Sequence, residues 1–298
     1  QVTFRVMLDE YFEDERLKQI FCVFLANVGL PSVKVNALRA LIVLKEFLLD
    51  GGYYVIGGMH QFVDQLASVF RERGGILRYQ EPVLKITVNH SGVTGVLTAS
   101  GNYYHARVVV SNVSLKQTFI QFLDEDSIRL CRGLRELQGK IGLLQSSVSV
   151  TVIYLGVQRD EKDLNRARTV WYLSSYDADQ AFADIYEGKV DFKGRSLLAA
   201  FPARFDSSLA PSGFECINLE TLAPFMNEMF WEQNKNRLSE ILINRANEFI
   251  PNLRSRTVLK EVAGWRRVWR WICSTTAAAY RITIEAWWSA LLEKLSGR

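Results

Sequence analysis

Cysteine, histidine and long apolar runs are all scarce in this chain of 298 residues. The four cysteines lie far apart without a Cys-x-x-Cys pair, and there are only three histidines, so the sequence indicates neither a zinc site nor a disulfide framework. We therefore expect no metal, and buried free thiols in a reducing compartment. The longest apolar stretch, residues 38–49, falls short of the roughly 18 residues that cross a bilayer and is interrupted by charges. We expect no membrane-spanning segment.

A strong charge of one sign is also missing. Lysine and arginine number 36 against 32 aspartates and glutamates, a formal charge of +4 spread along the chain, which is too weak a bias to favour a nucleic-acid partner. The first residues lack the basic and apolar regions of a secretion signal, so we expect a cytoplasmic or peripheral membrane location and no secretion. The chain opens on Gln1, which predicts either processing or a piece of a longer protein.

The first fifty residues predict helices. Apolar residues recur at spacings of three and four from Leu17 to Val28 and again from Ala37 to Leu49. Gly29 is the natural end of the first run. We expect both apolar stripes to lie in a core.

From residue 51 glycine pairs and short β-branched runs replace the helical pattern. Two glycine pairs surround an extended segment at 53–56, and a helix then ends at a third pair, Gly74-Gly75. Strands are predicted at 76–79, 83–88, 93–99 and 107–111, separated by turn signals.

The next part, to residue 263, predicts a second sheet with covering helices. Two helices are expected within 114–138, a short one at 178–186, and a long one that Pro224 opens and that runs to about residue 249. The strand pattern falls at 148–154, 170–174, 196–201 and 214–219.

The order of motifs in residues 50–112 is specific. It runs glycine pair, aromatic, Gly57-Gly58-Met59, helix, Gly74-Gly75, Val83-x-x-Ile86, a Gly-Val hairpin and an Ala-x-Val-Val-Val-Ser-Asn strand. This order resembles the carotenoid desaturase, carotenoid isomerase and retinol saturase group of FAD-dependent oxidoreductases, in the amine oxidase superfamily. Segments 147–156, 171–177 and 199–202 are similar to substrate-domain strands of the retinol saturase branch, and the resemblance extends over residues 5–263.

The resemblance implies where FAD would touch the chain. In such enzymes two separated parts hold the flavin, and the backbone at the position of Val83 meets the adenine. Gly57 and Gly58 would let the chain approach closely, and the amides at the helix start from Met59 would favour negative charge. The catalytic residues stay unknown. His60 is the better histidine for a base, a satisfied polar residue being the alternative, and flavin chemistry does not demand a protein base.

The implied activity is redox chemistry on carbon–carbon bonds of an isoprenoid or retinoid polyene, with a hydride moving between flavin and substrate. However, the family's Gly-x-Gly-x-x-Gly turn, which cradles the pyrophosphate, does not occur here, and its C-terminal Gly-Asp stretch is not found after Ala263. FAD binding by this chain alone is therefore in question. The alternative is a catalytically incomplete remnant that binds an apolar ligand or a partner.

The expected architecture is α+β: a partial FAD-binding element plus an antiparallel-sheet substrate domain with covering helices. Residues 1–50 would be a helical part of the substrate domain, 51–113 the FAD-binding element and 114–263 the rest of the substrate domain. The divergent tail, 264–298, holds five of the seven tryptophans beside several arginines. It could contact a membrane surface peripherally, or be non-native sequence left by a frame change.

Aromatic residues of the strands leave two interpretations open. They could line a tunnel for an apolar polyene, or simply form the core of a sheet. The set consists of Tyr53, Tyr54, Tyr154, Trp171, Tyr172, Tyr176, Phe201 and Phe205. Substrate identity, reaction direction and oligomeric state are left open by the sequence.

Overall fold

A computed structural model describes residues 2–160, 167–189, 194 and 196–263, and these form two compact units. Of the described residues, the first unit takes those up to 66 and from 147 to 263, and the second takes 67–146. Helices combine with antiparallel sheets, which confirms the α+β class. The four-part domain division stays a prediction, and the tail at 264–298 lies outside the described residues.

The helices and strands are named in chain order. The described helices are α1 (Phe4–Tyr11), α2 (Glu15–Cys22), α3 (Ala37–Lys45), α4 (Met59–Glu72), α5 (Glu125–Leu130), α6 (Leu134–Gly142), α7 (Ala178–Tyr186), α8 (Glu228–Ala246) and α9 (Leu253–Arg256). The described strands are β1 (Val83–Asn89), β2 (Gly92–Thr98), β3 (Tyr103–His105), β4 (Ser149–Gln158), β5 (Thr169–Tyr172), β6 (Leu197–Ala200), β7 (Phe214–Ala223) and β8 (Thr257–Ala263). No described helix has the length and apolar composition of a membrane span.

A five-stranded antiparallel sheet, ordered β5-β6-β7-β4-β8, forms the centre of the first unit. Its two longest strands, β4 and β7, pair without a register shift from Ser149 opposite Ala223 to Gln158 opposite Phe214. The strands predicted at 148–154, 170–174, 196–201 and 214–219 are all found, with shifted ends. β8 was missed by the sequence analysis.

One face of this sheet carries the main core. Ile217 and Leu219 of β7 are 1% and 0% exposed and belong to the same cluster as Leu242 and Ala246 of α8. Each such fully buried side chain contributes about 1.5–3 kcal/mol. Helix α8 therefore covers this face of the sheet.

The prediction that Pro224 opens the long helix was wrong. The helix begins four residues later, at Glu228, and the side chain of its N-cap Asn227 accepts a hydrogen bond of 3.0 Å from the amide of Phe230. An asparagine at the N-cap satisfies one of the four unpaired first-turn amides, and proline has no side-chain acceptor to do so. Helix α7, in contrast, lies at 178–186 as predicted.

The N-terminal helices contain a second correction. Both predicted helices exist, the first as α2 followed by a 3-10 segment (Val23–Asn27) and the second as α3 followed by a π turn (Glu46–Asp50). Their apolar stripes, however, are only partly in the core: Leu38, Ile42 and Leu49 are 67%, 52% and 80% exposed. The stripe is wider than the face that meets the core. Small residues and Leu44 occupy that face and pack with α1.

The second unit is built on a three-stranded antiparallel sheet, β1-β2-β3. The strands predicted at 83–88 and 93–99 are found, but those at 76–79 and 107–111 were wrong, because neither run pairs with another strand in the described chain. A strand is defined by its partner, and β-branched composition alone supplies none. The third strand is instead the short run Tyr103–His105.

Polar contacts fasten the edges of this small sheet. Glu81 accepts hydrogen bonds from the side chains of Thr98 and Asn102, each at 2.8 Å, and also from Ser100. These bonds lower the pKa of Glu81 to about 2.

Two helices were expected in 114–138, and α5 and α6 are found there, preceded by a π turn (Gln117–Gln121). Asp124 caps α5 and also pairs with Lys85.

A buried ion pair gives the first testable prediction. Glu215 of β7 is 4% exposed and receives two bonds from the guanidinium of Arg204, at 2.6 and 3.0 Å. Glu215→Ala would leave that cation buried without its carboxylate, which costs about 3–5 kcal/mol of unfolding free energy. The midpoint of urea denaturation measures the loss.

The matched control is Glu136→Ala on α6. Glu136 also pairs with a cation, Lys140, at 2.6 Å, but both side chains are more than 70% exposed. Exposed pairs of this kind are worth about 0.3–0.5 kcal/mol. Equal losses in the two variants would contradict the assigned role of the Arg204–Glu215 pair.

Candidate functional site

The second face of the five-stranded sheet carries the candidate site. Successive side chains of a strand point to opposite faces, so Glu220 lies away from the core that holds its neighbour Leu219. On this face Glu220 is paired with Val152 of β4 on one side and Leu198 of β6 on the other. A carboxyl group thus stands among apolar side chains in the middle of the sheet.

A pocket of about 130 Å³ lies over this face. Its walls come from the 3-10 segment, from α7 and from strands β4 to β7, all in the first unit. Most lining residues are apolar. They are Cys22, Val23, Ala26, Asn27, Val150, Trp171, Leu173, Ala178, Ala181, Phe182, Ile185, Ser196, Leu197, Leu198, Glu220, Thr221 and Leu222.

Helix α7 is held over the sheet by polar contacts to the loop between the 3-10 segment and α3. Asp179 accepts hydrogen bonds from the amide and the hydroxyl of Ser32, at 2.7 and 2.6 Å. Near the other end of α7, the hydroxyl of Tyr186 donates to the carbonyl of Gly29 at 2.9 Å. These contacts fix the wall of the pocket independently of what fills it.

Glu220 is the lining residue that carries an ionisable carboxyl group. Burial raises its pKa above the ordinary value of 4.5, and no hydrogen bond or neighbouring charge contributes to the shift. Within the described residues, no cation or hydrogen-bond donor pairs with this carboxyl. Burial also raises the pKa of Cys22 to about 11, so that thiol stays protonated.

The glycine pair predicted to approach the cofactor forms a tight turn in the first unit. Gly57 and Gly58 both have positive φ, at 83° and 89°. The amide of Gly57 donates to the carboxylate of Asp206 at 2.5 Å, and Met59, which begins α4, is 52% exposed. This bond comes from the turn that precedes α4, so the expectation that the helix amides from Met59 favour negative charge stays a prediction.

Val83, the residue predicted to meet adenine through its backbone, belongs to the second unit. It is half-buried at the start of β1, opposite Thr98, and the register shifts between Val83 and Lys85. The predicted cofactor residues therefore fall in two units, and their contact with FAD stays a prediction. His60 is half-buried on the first turn of α4.

The strand aromatics divide between the two interpretations. Trp171 lines the pocket, and its ring meets Phe24 edge-on at 5.9 Å. Phe201 is 1% exposed in the sheet core, and Tyr172 stacks on Phe249 at 5.0 Å. Tyr53 is 96% exposed. Sequence reasoning missed Glu220, because the predicted strand ended at residue 219 whereas β7 continues to Ala223.

Residues 4–201 match the family of flavin containing amine oxidoreductases, and the chain belongs to that family. This match confirms the resemblance drawn from the motif order. It spans the N-terminal helices, the second unit and the sheet as far as β6.

Curated relatives specify the group within the family. The chain is 26% identical over 247 residues to a prolycopene isomerase of Daucus carota, covering 81% of this chain and 37% of the relative. It is 25% identical to a lycopene-forming phytoene desaturase of Pseudescherichia vulneris, covering 86% and 51%. The chain thus spans about a third to a half of the length of these relatives.

Solved structures support the fold. A Pyrococcus furiosus protein superposes with a TM-score of 0.60 at 16% identity, covering 89% of this chain and 59% of its own. An oxidoreductase from Methanosarcina mazei gives a TM-score of 0.58 at 15% identity, covering 89% and 56%.

The raised pKa of Glu220 leads to a second prediction. Below its ordinary value the carboxyl is protonated in both the folded and the unfolded chain, and as the pH rises through the raised folded value the burial of a charge increasingly costs stability. Glu220→Gln should therefore raise the melting temperature at about pH 8, by roughly 2–4 °C for each kcal/mol relieved, and much less at about pH 4.

Differential scanning calorimetry at the two pH values measures this effect. Glu232→Gln is the control, because Glu232 is exposed on α8 and does not line the pocket that holds Glu220. A Glu220→Gln variant that is less stable than the wild type at the higher pH would show that the ionised carboxyl has a stabilising partner.

Proposed function

We propose that this chain is part of an FAD-dependent oxidoreductase that acts on carbon–carbon bonds of an isoprenoid or retinoid polyene, with the first unit as its substrate domain. The apolar pocket on the second face of the sheet carries this proposal, because a polyene needs a dry, apolar surface beside it. Membership of the flavin family and relatives named for phytoene and prolycopene support it.

The fit of FAD to the described residues is only partial. Val83 offers strand backbone and Gly57-Gly58 a close approach, as the resemblance implies, but no two glycines in the sequence are separated by a single residue, as the pyrophosphate turn needs. The carboxylate of Asp206 already bonds the Gly57 amide. When bound, FAD would supply the hydride chemistry, and the protein would orient the substrate and exclude water.

Exposed β-forming side chains in the second unit support a larger flavin domain in the whole protein. Ile76, Val108 and Val110 are 73%, 76% and 91% exposed, on the two runs that were predicted as strands but have no partner in the described chain. Exposed apolar runs of this kind normally pair with further strands. We infer that the runs at 76–79 and 107–111 pair with additional chain in the whole protein and so extend the sheet of the second unit.

A second candidate function is apolar-ligand or partner binding without flavin turnover. The contact between Asp206 and Gly57 favours it, because a phosphate at this turn would have to displace a carboxylate or be repelled by it.

Flavin absorbance decides between the two. The purified chain is mixed with FAD and passed through a desalting column, and its absorbance is then read at about 450 nm. Bound flavin is expected for the oxidoreductase. A colourless protein that takes up no FAD would leave this chain as a binding module and would exclude catalysis by it alone.

The assignment of Val83 is tested by titrating FAD into variants. If the backbone amide donates to the adenine, Val83→Pro should weaken FAD binding about tenfold, the usual worth of one such bond. Val83→Ala keeps the amide and should bind like the wild type. Equal affinity of all three proteins, each checked for its circular dichroism spectrum, would remove Val83 from the site.

A further inference from the structure

Glu220 carries the one carboxyl group among the residues that line the pocket. The hydroxyl of Thr221 already donates to the carbonyl of Ser196 at 2.8 Å, and the thiol of Cys22 interacts with Ser32. Glu220, in contrast, has no partner in the described chain. A ligand that enters the pocket would therefore meet mostly apolar walls, the carboxyl group of Glu220 and the neutral amide of Asn27.

The carboxyl of Glu220 is partly buried, and this burial disfavours its charged form. A hydrogen-bond partner inside the pocket would offset that cost. Partly buried ionisable groups in pockets are, for this reason, frequent members of functional sites.

We propose that this pocket binds a small apolar ligand, or the end of a longer one, that carries an alcohol or carbonyl oxygen, with the Glu220 carboxyl as its hydrogen-bond partner. That the ligand is an isoprenoid rests on the proposed function; that it has an apolar body and one polar end rests on the pocket alone.

The volume of the pocket limits the part of the ligand that enters. Engineered apolar cavities of about 150 Å³ accept benzene, which has six non-hydrogen atoms. A pocket of about 130 Å³ accordingly holds about one five-carbon isoprene unit with its oxygen. The side chain of Ala181 on α7 lines this space, so a larger residue there would fill it.

Burial also selects between a neutral oxygen and a cation as the polar end. It raises the pKa of Glu220 and so disfavours the ionised form, and an apolar wall makes an ammonium costlier to desolvate than a hydroxyl, which can bond a carboxyl in either protonation state. An alkyl ammonium would instead require the ionised form. The two ligand classes therefore give opposite rankings in a binding assay.

The test uses the full chain and three five-carbon probes: 3-methylbut-2-en-1-ol, 2-methylbut-2-ene and 3-methylbutylamine. Ligand-observed NMR titration measures each dissociation constant, which for six heavy atoms is expected in roughly the millimolar range. The alcohol should bind best. Glu220→Leu should weaken the alcohol about tenfold and leave the hydrocarbon unchanged or tighter, whereas Glu220→Gln should keep alcohol binding.

Two further variants complete the design. Ala181→Phe should abolish binding of both neutral probes by filling the pocket. Glu232→Leu, on the exposed side of α8, should change nothing. A thermal melt of each variant checks folding, and the Glu220 pair remains decisive if Ala181→Phe does not fold.

Several results would overturn the proposal: no binding by any probe, equal alcohol binding in the wild type and in Glu220→Leu, or tighter binding of the amine than of the alcohol. Flavin plays no part in this assay. Alcohol binding without any FAD uptake would exclude flavin catalysis by this chain alone and leave the pocket proposal intact. FAD uptake without alcohol binding would overturn the pocket proposal and leave the oxidoreductase proposal intact.

Discussion

The continuous antiparallel pairing of β4 with β7 is the constraint on which the first unit depends. Because side chains alternate along a strand, the register that directs Leu219 into the core must direct Glu220 to the opposite face. A slip of one residue would exchange the two and place a carboxyl beneath α8. Core packing and the polarity of the pocket are therefore fixed by the same set of hydrogen bonds.

The two faces of the sheet are covered in different ways, and the difference explains why this pocket lies on the second face. Helix α8, 19 residues long, packs its apolar side chains directly on the first face. The second face is covered by α7 and the 3-10 segment, whose positions are set by Asp179 with Ser32 and by Tyr186 with Gly29. Protein interiors normally close such spaces. Walls held by polar contacts at both ends resist that collapse.

How far the sequence could predict this structure depends on whether the deciding interaction is local. The helix at 178–186 and the strands β4 to β7 follow from periodicity and turn residues, and they were found. The runs at 76–79 and 107–111 have equally good β-forming residues, yet strand formation needs a partner that composition does not reveal. Leu38 and Ile42 belong to a correctly predicted helix, but which part of an apolar stripe meets the core depends on the packing of α1. Glu220 was overlooked because its environment comes from three strands and a helix that are distant in sequence.

The glycine turn at 57–58 illustrates the same limit for the cofactor site. A glycine pair before a helix indicates amides that favour negative charge, and the sequence could establish that much. What supplies the charge is a tertiary question: Asp206 lies 149 positions further along the chain and bonds the Gly57 amide. The glycine pattern is compatible with a bound phosphate or with a carboxylate from the same protein. A bound phosphate would make the turn a ligand-binding site, whereas a carboxylate such as that of Asp206 only stabilises the turn. The order of motifs still assigns the family, because that order is inherited together with the fold. Which acceptor bonds a particular amide, in contrast, depends on the electrostatics of the folded chain.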